Sequence, residues 1–115
     1  MRYMMLYKPG RETNAPPSES EMANMGRFIE EMAATGALLS TDGLQSSAKG
    51  VRVRISDGQF TVTDGPFTET KELVAGYAIV QTKSRDEAIE LARKFLAVVG
   101  EGESEIRLMH DVPAF

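Results

Sequence analysis

The sequence predicts an α+β fold of the ferredoxin-like type, in which two βαβ units share one antiparallel sheet and a β-hairpin is inserted between them. Three patterns support this fold class. Segments that are apolar on both alternating faces predict buried strands. Two segments with apolar residues at helical spacing, each preceded by a capping box, predict helices. An alternating pattern on either side of Asp57-Gly58 predicts the hairpin.

The first half of the chain supplies a strand, a helix and a short second strand. The first strand is predicted at residues 2–7. Ser18 and Glu21 form the capping box of the helix, and Gly36 is placed to end it. The second strand is predicted at residues 37–40, ending at a turn, TDG. The helix carries apolar residues at helical spacing, namely Met22, Met25, Phe28, Ile29 and Met32.

The hairpin is predicted from the dipeptide Asp57-Gly58, because a two-residue type I′ turn needs positive φ at both positions. With that turn, apolar residues face apolar residues and arginine faces threonine across the two strands. The register also places Asp64 on the apolar side of the hairpin. The predicted rungs are Ser56 with Gln59, Ile55 with Phe60, Arg54 with Thr61, Val53 with Val62 and Arg52 with Thr63.

The second half of the chain supplies a strand, a helix and the last strand. A strand that is apolar on both faces is predicted at residues 74–82. Ser84 and Glu87 form a second capping box, and Gly100 is placed to end the helix. In the last strand, at residues 104–110, Ile106, Leu108 and His110 fall on one face and Arg107 and Met109 on the other.

The strands at residues 2–7 and 74–82 create a need for a partner. Both helices of a ferredoxin-like fold cover the same face of the sheet. The two strands are apolar on both faces, so the second face also needs a cover, and the chain has no third helix to supply one. Packing against the sheet of a second copy is the economical solution, and a homodimer is predicted.

Composition limits the classes of function. The 115 residues are expected to form a single domain over 1–115, and the net charge of −4 argues against a nucleic-acid partner. Without cysteine and with one histidine, disulfides and the usual zinc sites are excluded, and no cofactor is predicted. The apolar run at the N-terminus is too short for a signal peptide or a membrane span, so a cytoplasmic protein without a membrane partner is expected.

Three segments carry a resemblance to a known family: DGPFTETKE, GYAIVQTKSRDEAIELA and EIRLMHDV. They resemble the YCII-related family, in the branch named for its Asp-Gly-Pro-Phe motif. The resemblance covers nearly the whole chain and implies a bacterial protein with the dimeric α/β-barrel fold. It implies no settled activity, although many members are encoded beside extracytoplasmic-function sigma factors.

One position departs from the better-studied proteins that this chain resembles. Those proteins carry a histidine on the first helix, paired with an aspartate, as a proposed catalytic dyad. Met25 stands at the corresponding place in this chain, and the first helix contains no histidine. The dyad is therefore not carried over. His110, on the last predicted strand, matches no catalytic position of the family.

Asp64 and Arg107 are the candidate catalytic residues. If Ile106 and Leu108 face the helices, Arg107 points into the cavity between the subunits. A buried arginine needs a carboxylate there, and Asp64, Glu69 or an acidic ligand would supply it. The alternative for Asp64 is a turn cap that accepts bonds from nearby backbone N–H groups. The candidate ligand-binding residues are Tyr3, Tyr7, Glu69, Lys71, Tyr77 and His110.

Each ligand-binding candidate also has a structural interpretation. The tyrosines are typical core residues, Glu69 and Lys71 are typical of a solvated charge run, and His110 is typical of a strand-end surface position. Two functions therefore stay open. In the first, a cavity of the homodimer binds a small organic molecule and processes it by cofactor-free acid–base chemistry. In the second, the dimer is a non-catalytic accessory or regulatory module, with a link to an extracytoplasmic-function sigma factor.

Overall fold

Six strands and two α-helices make up the regular structure of the part of the chain that the structure describes. The computed structural model describes residues 1–10, 15–67 and 73–111. The strands are β1 (Arg2–Lys8), β2 (Leu38–Gly43), β3 (Val51–Ser56), β4 (Gln59–Asp64), β5 (Gly76–Gln81) and β6 (Glu103–Leu108). The helices are α1 (Glu19–Ala34) and α2 (Arg85–Val99), and a short 3₁₀ helix covers Ser47–Lys49.

The main sheet has four strands in the order β2-β5-β1-β6, and every neighbouring pair is antiparallel. This is the strand order of a ferredoxin-like fold, so the predicted fold class is confirmed. The turn predicted at TDG is wrong. Asp42 pairs with Tyr77 and Gly43 with Gly76, so that β2 runs through this tripeptide to the end of the ladder. Pairing with β5 overrides the local turn preference of Asp-Gly.

Both helices begin at the predicted serines. The Ser18 hydroxyl accepts a hydrogen bond from the Glu21 N–H at 3.1 Å, and the Ser84 hydroxyl accepts one from the Glu87 N–H at 3.2 Å. These bonds satisfy backbone donors that the first helical turn leaves free. Gly100 ends α2 in the left-handed conformation, with φ of 88°. Glycine is the residue that adopts this conformation at least steric cost.

Strand β1 has one covered and one open face. Tyr3 and Met5 are buried together with Val80 of β5 and with Ala88 and Ala92 of α2, which form the core. Along the strand, the alternate residues Met4 and Leu6 point to the other side of the sheet. We call that side, which no described helix covers, the open face. The molecule is accordingly flat, with principal extents of 46 × 38 × 18 Å.

The β3–β4 hairpin forms a second, separate sheet. Its turn residues Asp57 and Gly58 both have positive φ, at 51° and 76°, as a type I′ turn requires. The rungs match those predicted from the sequence, and the ladder extends to a pair between Val51 and Asp64. All residues of both strands are exposed, including Phe60 at 72%. Within the described residues, therefore, neither face of the hairpin is covered.

The Asp-Gly-Pro-Phe motif holds the base of the hairpin. The Gly65 N–H donates to the Gly50 carbonyl at 2.9 Å, and the Phe67 N–H donates to the Ser47 hydroxyl at 3.1 Å. The Arg52 guanidinium lies over the Phe67 ring, 3.8 Å from its centroid. The motif therefore ties the end of β4 to the 3₁₀ helix that precedes β3.

We expect Gly65→Ala to destabilise the fold by about 2 kcal/mol or more. A Cβ at this position would lie 1.7 Å from the Ser47 carbonyl oxygen, a backbone atom that moves only if the 3₁₀ helix shifts. Urea unfolding should show a lower midpoint. The control is Gly26→Ala within α1, where a Cβ meets nothing within 4 Å and should stabilise the helix by about 0.5–1 kcal/mol. Equal midpoints for wild type and Gly65→Ala would contradict this account of the motif.

Candidate functional site

A cavity of about 280 Å³ lies between the helices and the covered face of the sheet. None of the residues of α1 is fully buried, and its apolar stripe lines this space. The space is large enough for an organic molecule, since an apolar cavity of about 150 Å³ accommodates benzene. Its apolar walls include Met5, Met25, Phe28, Ile29, Met32, Leu38, Leu91 and Phe95.

Polar groups border this cavity at the edge strand β2. Thr41, Asp42 and Tyr77 line it there, and we call these three residues the polar rim. The Tyr77 hydroxyl donates to the Asp42 carboxylate at 3.4 Å, and the Thr41 hydroxyl donates to the Tyr77 carbonyl at 2.9 Å. Tyr77 is opposite Leu6 in the register, so the side chains of Tyr77 and Asp42 extend toward the open face. Asp42 is exposed. At the edge of β2, therefore, the Thr41 hydroxyl lies on the side of the cavity, and the Asp42 carboxylate and Tyr77 phenol lie on the side of the open face.

Tyr7 lines the cavity from β1 and presents a neutral hydroxyl. Its ring meets the edge of Phe95, with 5.2 Å between the centroids and 84° between the planes. Its hydroxyl donates to the Glu101 carbonyl at 3.0 Å. Burial, and then the nearby Glu101 carboxylate, raises the pKa of Tyr7 above its ordinary value. Tyr7 is therefore a hydrogen-bonding group in the wall and not a source of negative charge.

A wider groove of about 1040 Å³ lies beside the cavity. It passes between α1 and the segment that follows β2, with Pro16 and Pro17 on one side and Leu44 and Gln45 on the other. The cavity and the groove share the lining residues Tyr7, Met25, Ile29, Ala75 and Val99. The shared walls make the groove the natural direction from which a molecule would reach the cavity.

The open face carries a charged cluster next to its apolar centre. The Glu105 carboxylate contacts the Lys8 ammonium at 2.8 Å and the Arg107 guanidinium at 3.2 Å. Hydrogen bonds from Lys8 and then Arg107 hold the pKa of Glu105 below its ordinary value. Arg107 lies opposite Met4 in the register, on the side away from the helices, as its alternation with Ile106 predicted. Its side chain is 72% exposed.

The structure divides the predicted ligand-binding tyrosines between the two faces. Tyr3 and Tyr7 lie on the covered face, where Tyr3 is buried in the core and Tyr7 lines the cavity. Tyr77 lies on the other face by register, together with Arg107. His110 follows β6 and is exposed, and its carbonyl accepts a hydrogen bond from the Arg2 guanidinium at 2.9 Å. Glu69 and Lys71 lie outside the described residues.

Asp64 and Arg107 do not meet within one chain. Asp64 is exposed at the end of β4 and pairs in the ladder with Val51. The salt bridge of Arg107 within the described residues is with Glu105. The expected inward position of Asp64, in reach of Arg107, is therefore not formed by a single copy of the chain. A contact between subunits stays a prediction.

Asp42, Lys8 and Glu105 are site residues that the sequence patterns do not indicate. Asp42 was assigned to a turn, whereas it ends a strand beside Tyr77. The cluster of Lys8 and Glu105 joins strands that are 97 residues apart in sequence, so it depends on the register of β1 and β6. Alternation along β6 was the one available signal, since it places Glu105 on the same side as Arg107.

Family membership follows from comparison with known proteins. The family model described as the YCII-related domain matches residues 1–108. The chain belongs to the YCII-related family. An uncharacterized protein of Rhizobium meliloti (strain 1021) is 32% identical to this YCII-related chain over 97 residues, covering 81% of this chain and 78% of that protein.

A solved structure is similar to this YCII-related protein in fold. It is the 5-chloro-2-hydroxyhydroquinone dehydrochlorinase TftG from Burkholderia phenoliruptrix AC1100, in complex with 2,5-dihydroxybenzoquinone. The TM-score is 0.50 and the identity 12%, with 96% of this chain and 94% of that chain covered. In the described part of the chain, no helix is long and apolar enough to cross a membrane. The same residues contain no group of three or more His, Cys, Asp or Glu side chains placed to hold a metal ion.

We expect Glu105→Gln to reduce stability at neutral pH and to lose this effect in acid. The Glu105 pKa is lowered in the folded chain, so its charged form stabilises the fold above the ordinary glutamate range of about pH 4.3. That contribution disappears as the pH falls through the lowered folded pKa. Urea unfolding at several pH values should therefore show wild type and variant converging in acid. A difference between wild type and Glu105→Gln that stays constant at all pH values would contradict the prediction.

Proposed function

We propose that this YCII-related protein binds a small organic molecule with an apolar, ring-shaped body in the cavity between its helices and its sheet. The observation that carries the proposal is an apolar space of about 280 Å³ with a polar rim at one edge. Ligand sites commonly combine apolar walls with a few polar groups that orient the ligand. The proposed site lies within one chain, whereas the sequence analysis expected it between subunits.

The rim gives this site a chemical preference. A ring between the methionine and phenylalanine side chains of the walls would direct a hydroxyl or carbonyl substituent toward Thr41, which shares the covered face with Met5. A substituent long enough to pass the edge of β2 would reach Asp42 on the other side of the strand. The dehydrochlorinase of similar fold is described in complex with a hydroxylated quinone, which makes hydroxylated rings the first probes to test. Likeness of fold supports the choice of probe and does not transfer the activity.

Asp42 is the group that we propose for cofactor-free acid–base chemistry on such a ligand. Among the described residues that line the cavity, it is the one with a carboxyl side chain. The Tyr77 hydroxyl orients it at 3.4 Å, as a second group commonly orients a general base. Met25, on α1, lines the same cavity and has no proton to exchange. Proton transfer would therefore require a ligand substituent that extends past the edge of β2 to Asp42, whose side chain lies on the side of the open face.

We also propose that the chain forms a homodimer through the open face. Met4, Leu6 and Ile79 lie on this face, and no described helix covers them. A single layer of strands with an uncovered apolar centre is a surface that proteins commonly bury against a second copy. In this arrangement the apolar walls of the ligand cavities lie on the covered face, and the Asp42 and Tyr77 side chains of the rim lie on the side of the dimer contact.

Met25→Trp is expected to fill the cavity and abolish ligand binding. A panel of hydroxylated benzenes and quinones would be screened by thermal shift, because a ligand at 100 times its Kd stabilises the native state by about 2.7 kcal/mol. The variant should lose the shift that wild type shows. Ala23→Trp is the matched control, since Ala23 is exposed on the same helix and lines neither the cavity nor the groove. Unchanged binding by the Met25 variant would refute the site.

Asp42→Asn distinguishes an enzyme from a binding module. The substitution keeps the size of the side chain, so a ring identified in the screen should bind with nearly wild-type affinity. If Asp42 is the general base, the rate of conversion of that ring should fall by about 100-fold or more. Absorbance spectra of the bound ring over time measure the conversion. Wild type that binds the ring and leaves its spectrum unchanged would support the non-catalytic function instead.

A further inference from the structure

The β3–β4 hairpin has one apolar face, and no other element in the described part of the chain covers it. Side chains at opposite rungs share a face, and alternation places the apolar ones together. An isolated two-stranded hairpin is at best marginally stable in water, and a contiguous exposed apolar patch indicates an interaction surface. The exposed fractions are 55% for Val51, 65% for Val53, 61% for Ile55, 72% for Phe60 and 66% for Val62. We call this surface the arm face.

The arm face is presented from a fixed base. Gly65 and Phe67 bind the 3₁₀ segment through their backbone N–H groups, at 2.9 Å to the Gly50 carbonyl and 3.1 Å to the Ser47 hydroxyl. The hairpin therefore leaves the domain in a defined direction without pairing to any described strand of the main sheet. A radius of gyration of 15.9 Å, against about 13 Å for a compact chain of roughly this size, fits a projecting element.

The open face of a second copy matches the arm face in chemistry. Its centre is apolar, at Met4, Leu6 and Ile79. The arm face ends at its base in the exposed carboxylate of Asp64, and the open face ends at β6 in the exposed guanidinium of Arg107. The bond from Arg107 to Glu105 is a surface ion pair, which leaves the guanidinium able to bind a second carboxylate. Each surface thus has an apolar area that ends in a charged group, and the two charges are of opposite sign.

Strand order separates the two groups within one chain and allows the contact between two. The arm follows β2, at one edge of the sheet, whereas Arg107 lies on β6, at the opposite edge. Three inter-strand spacings, roughly 14 Å, separate these edges. When two sheets face each other across a two-fold axis parallel to the strands, the β2 edge of each copy lies over the β6 edge of its partner. The base of the arm then reaches the position of the partner's Arg107.

We infer that the hairpin is a dimer arm, which packs its arm face on the open face of a second copy and pairs Asp64 with Arg107 of the partner subunit. The inference rests on the homodimer of the proposed function and adds the arm face as part of the contact between the two copies. Two symmetric copies of the contact form in each dimer, because a two-fold interface repeats every contact.

Charge exchange between two variants tests the pairing directly. In Asp64→Arg alone, two cations face each other in the dimer, and in Arg107→Glu alone, two anions do. Each variant should dimerise about 100-fold more weakly than wild type in sedimentation equilibrium, because like charges oppose each other across the interface. An equimolar mixture of the two variants restores both pairs in a heterodimer, which should form with near wild-type affinity. Failure of the mixture to dimerise better than either variant would overturn the pairing.

A second pair of variants tests the arm face without charge exchange. Val62→Lys places a cation on the arm face, and Thr61→Lys places one on the opposite face of the same strand. Val62→Lys should raise the dissociation constant of the dimer about 100-fold or more, and Thr61→Lys should leave it unchanged. Circular dichroism confirms that each variant is folded. If Val62→Lys dimerises as strongly as wild type, the arm is refuted and the homodimer stands. If wild type is a monomer, both the arm and the homodimer are refuted. The thermal shift of wild type with ring ligands tests the cavity independently of either result.

Discussion

Strand β1 is hydrogen-bonded to β5 on one side and to β6 on the other, and its side chains alternate between two faces that need different covers. Tyr3 and Met5 meet α2 on the covered face, whereas Met4 and Leu6 point away from both helices. The cavity lies on the covered face and the charged cluster on the open face, and the hairpin projects from the domain as a separate sheet. The two described helices cover one face of the sheet, and the second copy that we propose would cover the other.

The covered face leaves a cavity beneath α1. None of the residues of α1 is buried, and the space beneath the helix is the cavity. A void of this kind reduces the stability of the empty protein, because its lining atoms lose contacts that close packing would supply. A bound molecule restores those contacts, so that binding and folding stability are coupled at this site. Loose packing of α1 is therefore consistent with a binding function, at a cost in stability.

Features of the fold that depend on short-range chemistry could be predicted from the sequence. Ser18 and Ser84 start the helices because a hydroxyl before a helix satisfies free N–H groups. The hairpin register follows from one turn, at Asp57-Gly58. The candidate site depends on contacts between distant segments, and these could not be predicted. The rim pair of Asp42 and Tyr77 is 35 residues apart, and its formation requires β2 to pair through residues whose local preference is for a turn.

Three of the residues that line the cavity, Met5, Met25 and Met32, are methionines. A thioether side chain is unbranched and polarizable, and it changes its conformation more easily than leucine or phenylalanine. Walls of this kind adjust to the outline of whatever occupies them, so they recognise bulk and apolarity more than shape. Discrimination among ring compounds would then fall to the few fixed hydrogen-bonding groups at the edge of β2. Such a pocket is plastic in its interior and selective at its border, which is an arrangement suited to a series of related rings instead of one compound.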